Sequence, residues 1–419
     1  MDDRCMFSRV LFIVAVLVAL NVHDSCSADP LPFAAPGDVG LDASKLREIE
    51  LAVGEHLDRK ELAGAVTLVL RKGSIVHLES HGWQDIDSQT PMATDTIFRI
   101  YSMTKPIVST AVMMLVESGQ VDLDDPIAAH LPELSNLMVL ENGKRVPPKR
   151  PPTVRDLLRH TAGFTYGFFG NSEVDQLYVQ ASILDKKNDT ASFLEKVASL
   201  PLAYHPGEQW VYSISVDVQG ALVEAVSGQS LDRFLKERIL EPLGMKDTGF
   251  FVPSGKRDRF ASVYNHDLEP TESNDTSVYR FPPRFFSGGG GMVSTVEDYA
   301  RFLQMLLNGG ELFGKRLLKE STIRDMTRDQ LPEQAFPIGI GDTRDGFGFG
   351  LGFNVVTNTS QYDSDARVGE YGWGGAASTH FWVSPKDDLA VITMEQTMPY
   401  TWNLERSLKG IVYGAVVGE

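Results

Sequence analysis

Strand-like sequence lies near both ends of this chain, with a long stretch of helical patterns between. Near the start, Ala65–Leu70 and Ile75–Leu78 flank a polar turn and predict a β-hairpin. Near the end, three further segments are rich in β-branched and aromatic residues: Phe349–Val356, Ala377–Val383 and Leu389–Gln396. An antiparallel sheet completed by both chain ends, with a mostly helical region inserted, satisfies this order. The sequence therefore predicts an α+β fold with helices flanking the sheet.

Helical periodicity marks the flanks and the middle of the chain, and glycine or proline closes several of the segments. The predicted helices are Leu41–Leu57, Ile107–Glu117, Ala191–Leu200, Val216–Ser227, Leu231–Leu240, Thr295–Leu307 and Leu404–Val417. We expect one domain after residue 28, with an α/β part at about residues 29–120 and 340–419 and a mostly helical part at about 121–339.

Residues 1–28 differ from the rest of the chain. Arg4 and Arg9 precede an apolar run, Val10–Leu20, which is shorter than the roughly 20 residues that a membrane span needs. Small residues follow and end at Ala28, as signal peptidase prefers. We expect a signal peptide over 1–28 and an exported protein, periplasmic or secreted, with no stable membrane span after cleavage. A short amino-terminal anchor is the alternative.

The net charge and the positions of the cysteines limit the kinds of partner and covalent cross-link that this chain is expected to have. The 56 acidic against 39 basic side chains give a formal net charge of -17, which argues against nucleic acid as a partner. Both cysteines, Cys5 and Cys26, lie in the predicted signal peptide. The mature chain is therefore expected to hold no disulfide and no cysteine-ligated metal. The sequence leaves the oligomeric state open.

Ser102 and Lys105 stand where a short extended segment gives way to the Ile107–Glu117 helix. Side chains at this spacing project from one helix face, so the amine can reach the hydroxyl. Such a pair is the minimum for a lysine-activated serine nucleophile. Alone it is expected by chance about once in a chain of this length. Its place matters, because the Ser102 N–H belongs to a helix start, where unpaired amides can bind an oxyanion.

Two other segments carry groups suited to the same chemistry. Tyr212 lies just ahead of the Val216–Ser227 helix and could pass a proton between nucleophile and leaving group; packing in the core is the alternative. Trp373–Gly375 precedes the Ala377 strand, where glycines let the backbone approach a ligand and an edge strand could offer an N–H to the oxyanion. A plain glycine bend in a sheet is the alternative there.

In this order and spacing, these three segments resemble the serine β-lactamase and penicillin-binding-protein superfamily. The likeness is closer to its class C-like branch, which includes family VIII carboxylesterases, D,D-peptidases and D-aminopeptidases. Supporting segments also fit that pattern: Gly119–Pro126, His160–Gly163, Pro206–Glu208 and Gly289–Thr295. The resemblance runs from about Leu41 to the C-terminus and implies a β-lactamase-like fold.

The resemblance also implies roles for individual residues. Ser102 would be the nucleophile, Lys105 its general base and Tyr212 the partner acid/base, and the backbone N–H groups of Ser102 and Ala376 would form the oxyanion hole. Ser102 would attack a carbonyl and form an acyl-enzyme that water or another acceptor resolves. No metal and no cofactor is implied.

Two departures from the family pattern bear on the substrate. β-Lactamases of this branch have asparagine two places after the tyrosine, where this chain has Ile214, and lysine at the start of the glycine strand, where it has Trp373. The loss of an amide and a cation, with an aromatic gained, favours a neutral, apolar substrate. Trp-Gly-Gly at this position resembles the esterase branch. Ile214, Trp373, Gly374 and Gly375 are the predicted substrate-binding residues.

The sequence thus predicts an exported serine hydrolase, a carboxylesterase acting on a small neutral ester; a small amide is also considered. A β-lactamase, D,D-peptidase or acyltransferase could use the same residues, and a catalytically inactive binding or assembly protein of the same fold is the second alternative. His160 is predicted to be structural, because the family pattern puts it in a loop beside the cleft and the chain lacks the Gly-x-Ser-x-Gly elbow of a histidine-based triad.

Overall fold

The protein is described by a computed structural model that covers residues 29–272 and 274–417. The predicted signal peptide and both cysteines lie outside these residues. The strands are, in chain order, β1 Gly64–Arg71, β2 Ser74–Asp85, β3 Thr90–Pro91, β4 Phe98–Arg99, β5 Val139–Glu141, β6 Lys144–Val146, β7 Val263–Tyr264, β8 Pro270–Glu272, β9 Val293–Ser294, β10 Glu311–Leu312, β11 Lys315–Arg316, β12 Phe347–Phe349, β13 Asn354–Val356, β14 Tyr371–Gly375, β15 Thr379–Ser384 and β16 Leu389–Glu395.

The α-helices fall before, between and after these strands. They are α1 Ala43–Leu46, α2 Glu48–Asp58, α3 Thr104–Glu117, α4 Val154–Leu158, α5 Glu173–Gln180, α6 Thr190–Ser199, α7 Ser215–Ser227, α8 Leu231–Leu235, α9 Glu241–Leu243, α10 Val296–Leu307, α11 Glu320–Met326 and α12 Asn403–Gly414. Across residues 29–272 and 274–417, none of the helices combines the length and the apolar content needed to cross a bilayer.

One eight-stranded sheet joins the two ends of the chain. Its order is β12-β13-β14-β15-β16-β1-β2-β3, and β1 pairs with β16 in antiparallel register, with Leu68 opposite Ile392. The mostly helical region is inserted between β3 and β12. This confirms the predicted fold class, an antiparallel sheet built from both chain ends and flanked by helices.

Both faces of the sheet are covered, and β1 shows this residue by residue. All eight of its residues are buried, and successive side chains point to opposite faces. Val66 and Leu68 join the large core shared with the helical region. Ala65 and Val69 join a second core with side chains of α2 and α12. β1 is therefore buried on both sides, which is why its apolar residues do not alternate with exposed polar ones.

The structure differs from the predicted single strand at Phe349–Val356. Two short strands, β12 and β13, form a hairpin there, with Phe349 opposite Asn354. Gly352 in the turn has φ 107°, a conformation that side chains disfavour and glycine permits. The glycines between the two strands therefore reverse the chain inside a segment that composition marks as one strand.

The helix predicted to stop before Pro242 continues beyond it. Helix α8 is followed by a π-helical turn over Lys236–Leu240 and then by α9, which ends at Leu243. Pro242 lies in α9, which continues directly from the π-helical turn. The proline is therefore accommodated rather than acting as a stop.

Glu395, the last residue of β16, is a buried carboxyl with a strongly shifted pKa. Thr397 Oγ1 donates to its Oε2 (2.8 Å), while Oε1 has no hydrogen-bond partner among the described residues. Burial raises the pKa of Glu395 to about 8 from its ordinary 4.5, and the nearby Glu61 adds to the rise. The folded state therefore holds a proton that the unfolded chain releases at neutral pH, so the stability tied to this proton is present below pH 4.5 and is lost as pH rises towards 8.

We expect Glu395→Gln to unfold at higher urea concentration than wild type at pH 8 and at a similar concentration at pH 4.5. The difference should grow by about 1.4 kcal/mol for each pH unit between these limits. Urea titrations across this range measure it, with Glu50→Gln on the exposed side of α2 as the matched control. A pH-independent difference between Glu395→Gln and wild type would show that Glu395 does not carry the proton.

Candidate active site

Ser102 lies on a tight turn between a strand and a helix. Strand β4 leads into a 3₁₀ turn, Tyr101–Met103, which runs directly into α3. Tyr101 has φ 39°, which is unfavourable for a side chain of this size and marks a backbone held by its surroundings. The Ile100 N–H donates to the Met292 carbonyl (3.1 Å), and the Met292 N–H donates to Thr104 Oγ1 (3.1 Å). Met292, which follows the glycine run Gly288–Gly291, therefore holds the turn through both its carbonyl and its N–H.

Lys105 and Tyr212 both reach the Ser102 hydroxyl. Lys105 Nζ donates to Ser102 Oγ (3.0 Å), and the Tyr212 hydroxyl donates to the same oxygen (2.6 Å). Lys105 is 2% exposed and Tyr212 is 7% exposed, whereas Ser102 is partly exposed. The structure thus brings together the three side chains predicted for catalysis, with the serine open to solvent and its two partners shielded.

The Lys105 amine is held by a carbonyl from the glycine run. Nζ donates to the Gly289 carbonyl (2.5 Å), and the Gly289 N–H donates to Asp217 Oδ1 (3.0 Å). Ser287 Oγ donates to the same carboxylate oxygen (2.5 Å). A Cβ on Gly289 would lie 2.3 Å from Asp217 Oδ2, so only glycine fits between them. The chain Asp217, Gly289, Lys105 therefore sets where the amine points.

Asp217 is a residue that sequence reasoning missed. It is fully buried in the first turn of α7, and burial raises its pKa, while Ser287 and the Lys105 charge act against the rise. Its signal in the sequence is a single carboxylate in an otherwise apolar helix start. The role of this carboxylate becomes clear only from the fold, which places the Gly289 N–H beside it.

Aromatic rings surround the Tyr212 side chain. The ring centroids of Tyr166 (5.3 Å), Phe169 (5.6 Å) and Trp373 (5.3 Å) lie close to that of Tyr212. Phe168 and Phe169 are exposed, and Phe168 stacks on Tyr166. The approach to Ser102 is therefore lined with apolar surface, and such ring pairs each add about 0.5–1.5 kcal/mol beyond simple burial.

His160 packs behind Tyr212. It is 1% exposed, its ring centroid lies 5.1 Å from that of Tyr212, and its Nδ1 is within hydrogen-bonding distance of Ser213 Oγ (3.2 Å). Burial, and secondarily the Lys105 charge, hold the pKa of His160 well below its usual value. His160 is therefore buried against the Tyr212 ring, and its structural role stays a prediction.

Strand β14 brings the predicted oxyanion backbone to the nucleophile turn. It packs against Tyr101–Met103, and a Cβ on Gly375 would lie 2.3 Å from the Ile100 carbonyl oxygen. Ala376 follows directly, in the turn that Ser378 (φ 62°) closes. Contrary to the expected edge strand, β14 is internal, between β13 and β15. Its last residues extend beyond β13 while still paired with β15, and this brings Gly375, the residue before Ala376, against Ile100.

We expect Gly375→Ala to lower kcat/KM at least tenfold, because the added Cβ forces β14 away from Ile100 and shifts of about 1 Å in an active site are costly. Ester hydrolysis and thermal unfolding of the purified variant measure the effect. Gly54→Ala in α2, where a Cβ meets nothing within 4 Å, is the matched control. Activity within twofold of wild type would show that this close approach is not needed.

Of the four predicted substrate-binding residues, Gly374 is partly exposed and the other three are buried. Trp373 borders Tyr212, and Gly374 and Gly375 continue β14 beside it. Ile214 is completely buried in the main core. A substrate could touch Ile214 only after its neighbours move, so a direct contact with this residue has no support in the structure.

Arg344 is a second residue that the sequence did not reveal. Its guanidinium carbon lies 5.4 Å from the ring centroid of Trp373 and 5.5 Å from that of Trp402. A cation from a different loop thus lies beside the tryptophan at position 373. Nothing in the local sequence marks Arg344, because its contacts with Trp373 and Trp402 form only when segments distant in the chain meet.

Comparison with known proteins identifies the family of this chain. A family model described as beta-lactamase matches residues 49–408. The chain belongs to the beta-lactamase family. Esterase EstB of Burkholderia gladioli is 31% identical to this chain over 398 residues, which cover 89% of this chain and 94% of EstB. Lovastatin esterase of Penicillium rubens is 27% identical over 387 residues, covering 84% and 94%.

A solved structure extends the comparison. EstCE1, described as a hydrolase with promiscuous acyltransferase activity, superimposes with a TM-score of 0.77 at 26% identity, over 88% of this chain and 99% of EstCE1. This beta-lactamase family protein is therefore a serine hydrolase, as the sequence resemblance predicts, and its relatives include named esterases. The catalytic roles of Ser102, Lys105, Tyr212 and Ala376 remain predictions.

Proposed function

We propose that the protein is an exported carboxylesterase that hydrolyses small esters with apolar groups at the reacting end, through an acyl-enzyme on Ser102. One observation carries the proposal: Ser102 Oγ receives hydrogen bonds from both Lys105 Nζ and the Tyr212 hydroxyl. A hydroxyl held between an amine and a phenol has a proton acceptor and a proton relay in contact with it.

Acylation uses each of these groups once. Lys105 Nζ, acting as general base, takes the Ser102 proton as Oγ attacks the ester carbonyl, and the N–H groups of Ser102 and Ala376 bind the oxyanion. The proton then passes through Tyr212 to the departing alkoxide, which leaves as the alcohol. Water attacks the acyl-enzyme in the second half, releasing the carboxylic acid and restoring Ser102.

The surroundings of Ser102 favour an apolar ester at the reacting end. Tyr166, Phe169 and Trp373 line the approach around Tyr212, and apolar walls with a few fixed polar groups are typical of small-molecule sites. EstB and lovastatin esterase are named as esterases, which supports the same reaction here. Acyl transfer to an alcohol is the second candidate, favoured by the likeness to EstCE1; it needs only that an alcohol replaces water in deacylation.

Hydrolysis of 4-nitrophenyl butyrate and of a chromogenic cephalosporin by one preparation tests the proposal. We expect fast ester turnover and slow or no opening of the lactam. Fast lactam cleavage without ester turnover would reverse the assignment, and failure of a fluorophosphonate probe to label the protein would favour the inactive binding protein. Adding an alcohol and measuring the transesterified product separates hydrolysis from acyl transfer.

Export is part of the proposal and rests on residues 1–28 alone. Mass spectrometry of the protein recovered from its native host should find an N-terminus near Asp29 in the exported fraction. Recovery of intact residues 1–28 from the cytoplasm would remove this part of the proposal.

A further inference from the structure

Lys105 carries a positive charge at one point of the proposed reaction, in a place closed to water. As general base it takes the Ser102 proton, and the side chain on which the ammonium forms is 2% exposed. Besides Ser102, the amine contacts only neutral groups: the Gly289 carbonyl (2.5 Å) and the ring faces of Tyr212 (4.6 Å) and Tyr166 (5.3 Å). Among the described residues no carboxylate forms an ion pair with Nζ. A buried charge is costly unless an opposite charge compensates it.

The Asp217 carboxylate lies on the other side of the glycine that holds this amine. Its Oδ1 accepts hydrogen bonds from the Gly289 N–H (3.0 Å) and from Ser287 Oγ (2.5 Å). A Cβ on Gly289 would lie 2.3 Å from Asp217 Oδ2 and 2.6 Å from the Tyr166 hydroxyl oxygen, so the carboxylate and the phenol pack against the same glycine. One residue therefore separates the carboxylate from the Lys105 amine.

Hydrogen bonds and the Lys105 charge favour the ionised form of Asp217 against the effect of burial. Burial raises the pKa of Asp217, while Ser287, the Lys105 charge and the Gly289 N–H oppose the rise. Two donors on one carboxylate oxygen stabilise its charged form. Asp217 is 0% exposed and forms no ion pair within residues 29–272 and 274–417. A buried carboxylate without a paired cation and a buried amine without a paired anion thus lie on either side of Gly289.

The titratable side chains that also face Lys105 are Tyr166, Tyr212 and His160. Burial, and then the Asp217 charge, raises the pKa of Tyr166 well above its usual value. Burial, and then the Lys105 charge, holds the pKa of His160 well below its usual value. Tyr166 and His160 are therefore uncharged near pH 7, and neither can compensate an ammonium.

We propose that Asp217 is the counter-charge of the ammonium that forms on Lys105 during acylation. Water screens buried charges little, so charges one residue apart interact strongly there, and the carboxylate makes Lys105 a better proton acceptor. The inference rests on the proposed function and adds a charge role to the orientation of the amine. Asp217 acts through Lys105 and is a positioning residue.

The pH profile of 4-nitrophenyl butyrate hydrolysis by Asp217→Asn tests the inference. Asparagine keeps an oxygen that can accept from Gly289 and Ser287 but carries no charge. We expect kcat to fall about tenfold or more with KM within about twofold, because a weaker base takes the Ser102 proton less readily. The acid limb of kcat/KM should move to lower pH by about one unit or more, because an ammonium without its counter-charge loses its proton more readily.

Asp298→Asn is the matched control. Asp298 is also buried in the first turn of a helix, α10. Its Oδ2 accepts from the Asp247 N–H (2.6 Å) and from Thr248 Oγ1 (2.9 Å), so the substitution removes a buried charge in a similar setting away from Lys105. The acid limb of this variant should coincide with that of wild type.

A titration without substrate separates this inference from the proposed function. Carbon-13 NMR of the Lys105 side chain, assigned by its loss in Lys105→Arg, should show a transition that moves to lower pH by about one unit or more in Asp217→Asn. Asp217→Ser removes the same charge with a smaller side chain and is the second variant. An unmoved transition in either variant that folds would overturn the inference. A moved transition in a protein that hydrolyses no ester would refute the proposed function and leave the charge coupling supported.

Discussion

Replacing Ser102 with alanine is expected to abolish ester hydrolysis and labelling by a fluorophosphonate probe. The alanine variant keeps Lys105 and Tyr212 but has no oxygen to form the acyl-enzyme, and loss of a serine nucleophile typically lowers kcat on the order of 10⁶-fold. Steady-state assays with 4-nitrophenyl butyrate and intact-mass detection of the probe adduct measure both effects. The fold should be retained, because Ser102 is partly exposed and its side chain fills no core position.

Ser118→Ala is the matched control for this variant. Ser118 ends the same helix, and its Oγ donates to the Leu115 carbonyl (3.0 Å), away from Lys105 and Tyr212. We expect its activity and labelling to equal those of wild type. Labelling that persists in Ser102→Ala would place the nucleophile elsewhere.

Replacing Tyr212 with phenylalanine is expected to lower kcat by roughly 10²–10⁴, the contribution typical of one acid/base group. Phenylalanine keeps the ring among Tyr166, Phe169 and Trp373 and removes only the hydroxyl that donates to Ser102 Oγ (2.6 Å). The loss should fall on kcat more than on KM, because the proton relay acts while bonds are changing. Single-turnover kinetics with 4-nitrophenyl butyrate would show slowed acylation.

Tyr178→Phe tests whether any buried tyrosine hydroxyl has this effect. The Tyr178 hydroxyl is buried and has no hydrogen-bond partner among the described residues, so its removal should leave kcat within about twofold of wild type. A near-wild-type rate for Tyr212→Phe would remove Tyr212 from the proposed mechanism. Equal losses in both variants would indicate a general packing effect instead.

Much of the fold followed from local sequence because its signals are local. The β1–β2 hairpin has two apolar runs and a polar turn, and α12 has Leu404, Leu408 and Val412 at helical spacing, all of them fully buried. The prediction of one strand over Phe349–Val356 was wrong, because the backbone reversal at Gly352 that separates β12 from β13 leaves the residue composition strand-like. The π-helical turn ahead of Pro242 likewise could not be predicted, because no residue type indicates its hydrogen-bond pattern.

The candidate site divides in a similar way. Ser102, Lys105 and Tyr212 could be named from sequence because each stands at a helix start within a recognisable segment. Asp217 and Arg344 could not, since each acts on a partner far away in the chain: Gly289 for one, Trp373 for the other. Their roles arise from tertiary contacts, which single-residue patterns do not encode.

The pairing of β1 with β16 also bears on when the proposed site can form. A growing chain contains Ser102, Lys105 and Tyr212 long before it contains Gly375, which lies against Ile100. Such long-range pairings form slowly and late, so under the proposed mechanism a nascent chain would hold Ser102 and its partners without the oxyanion site. Joining the first strands to the last would then make completion of the polypeptide a condition for hydrolysis.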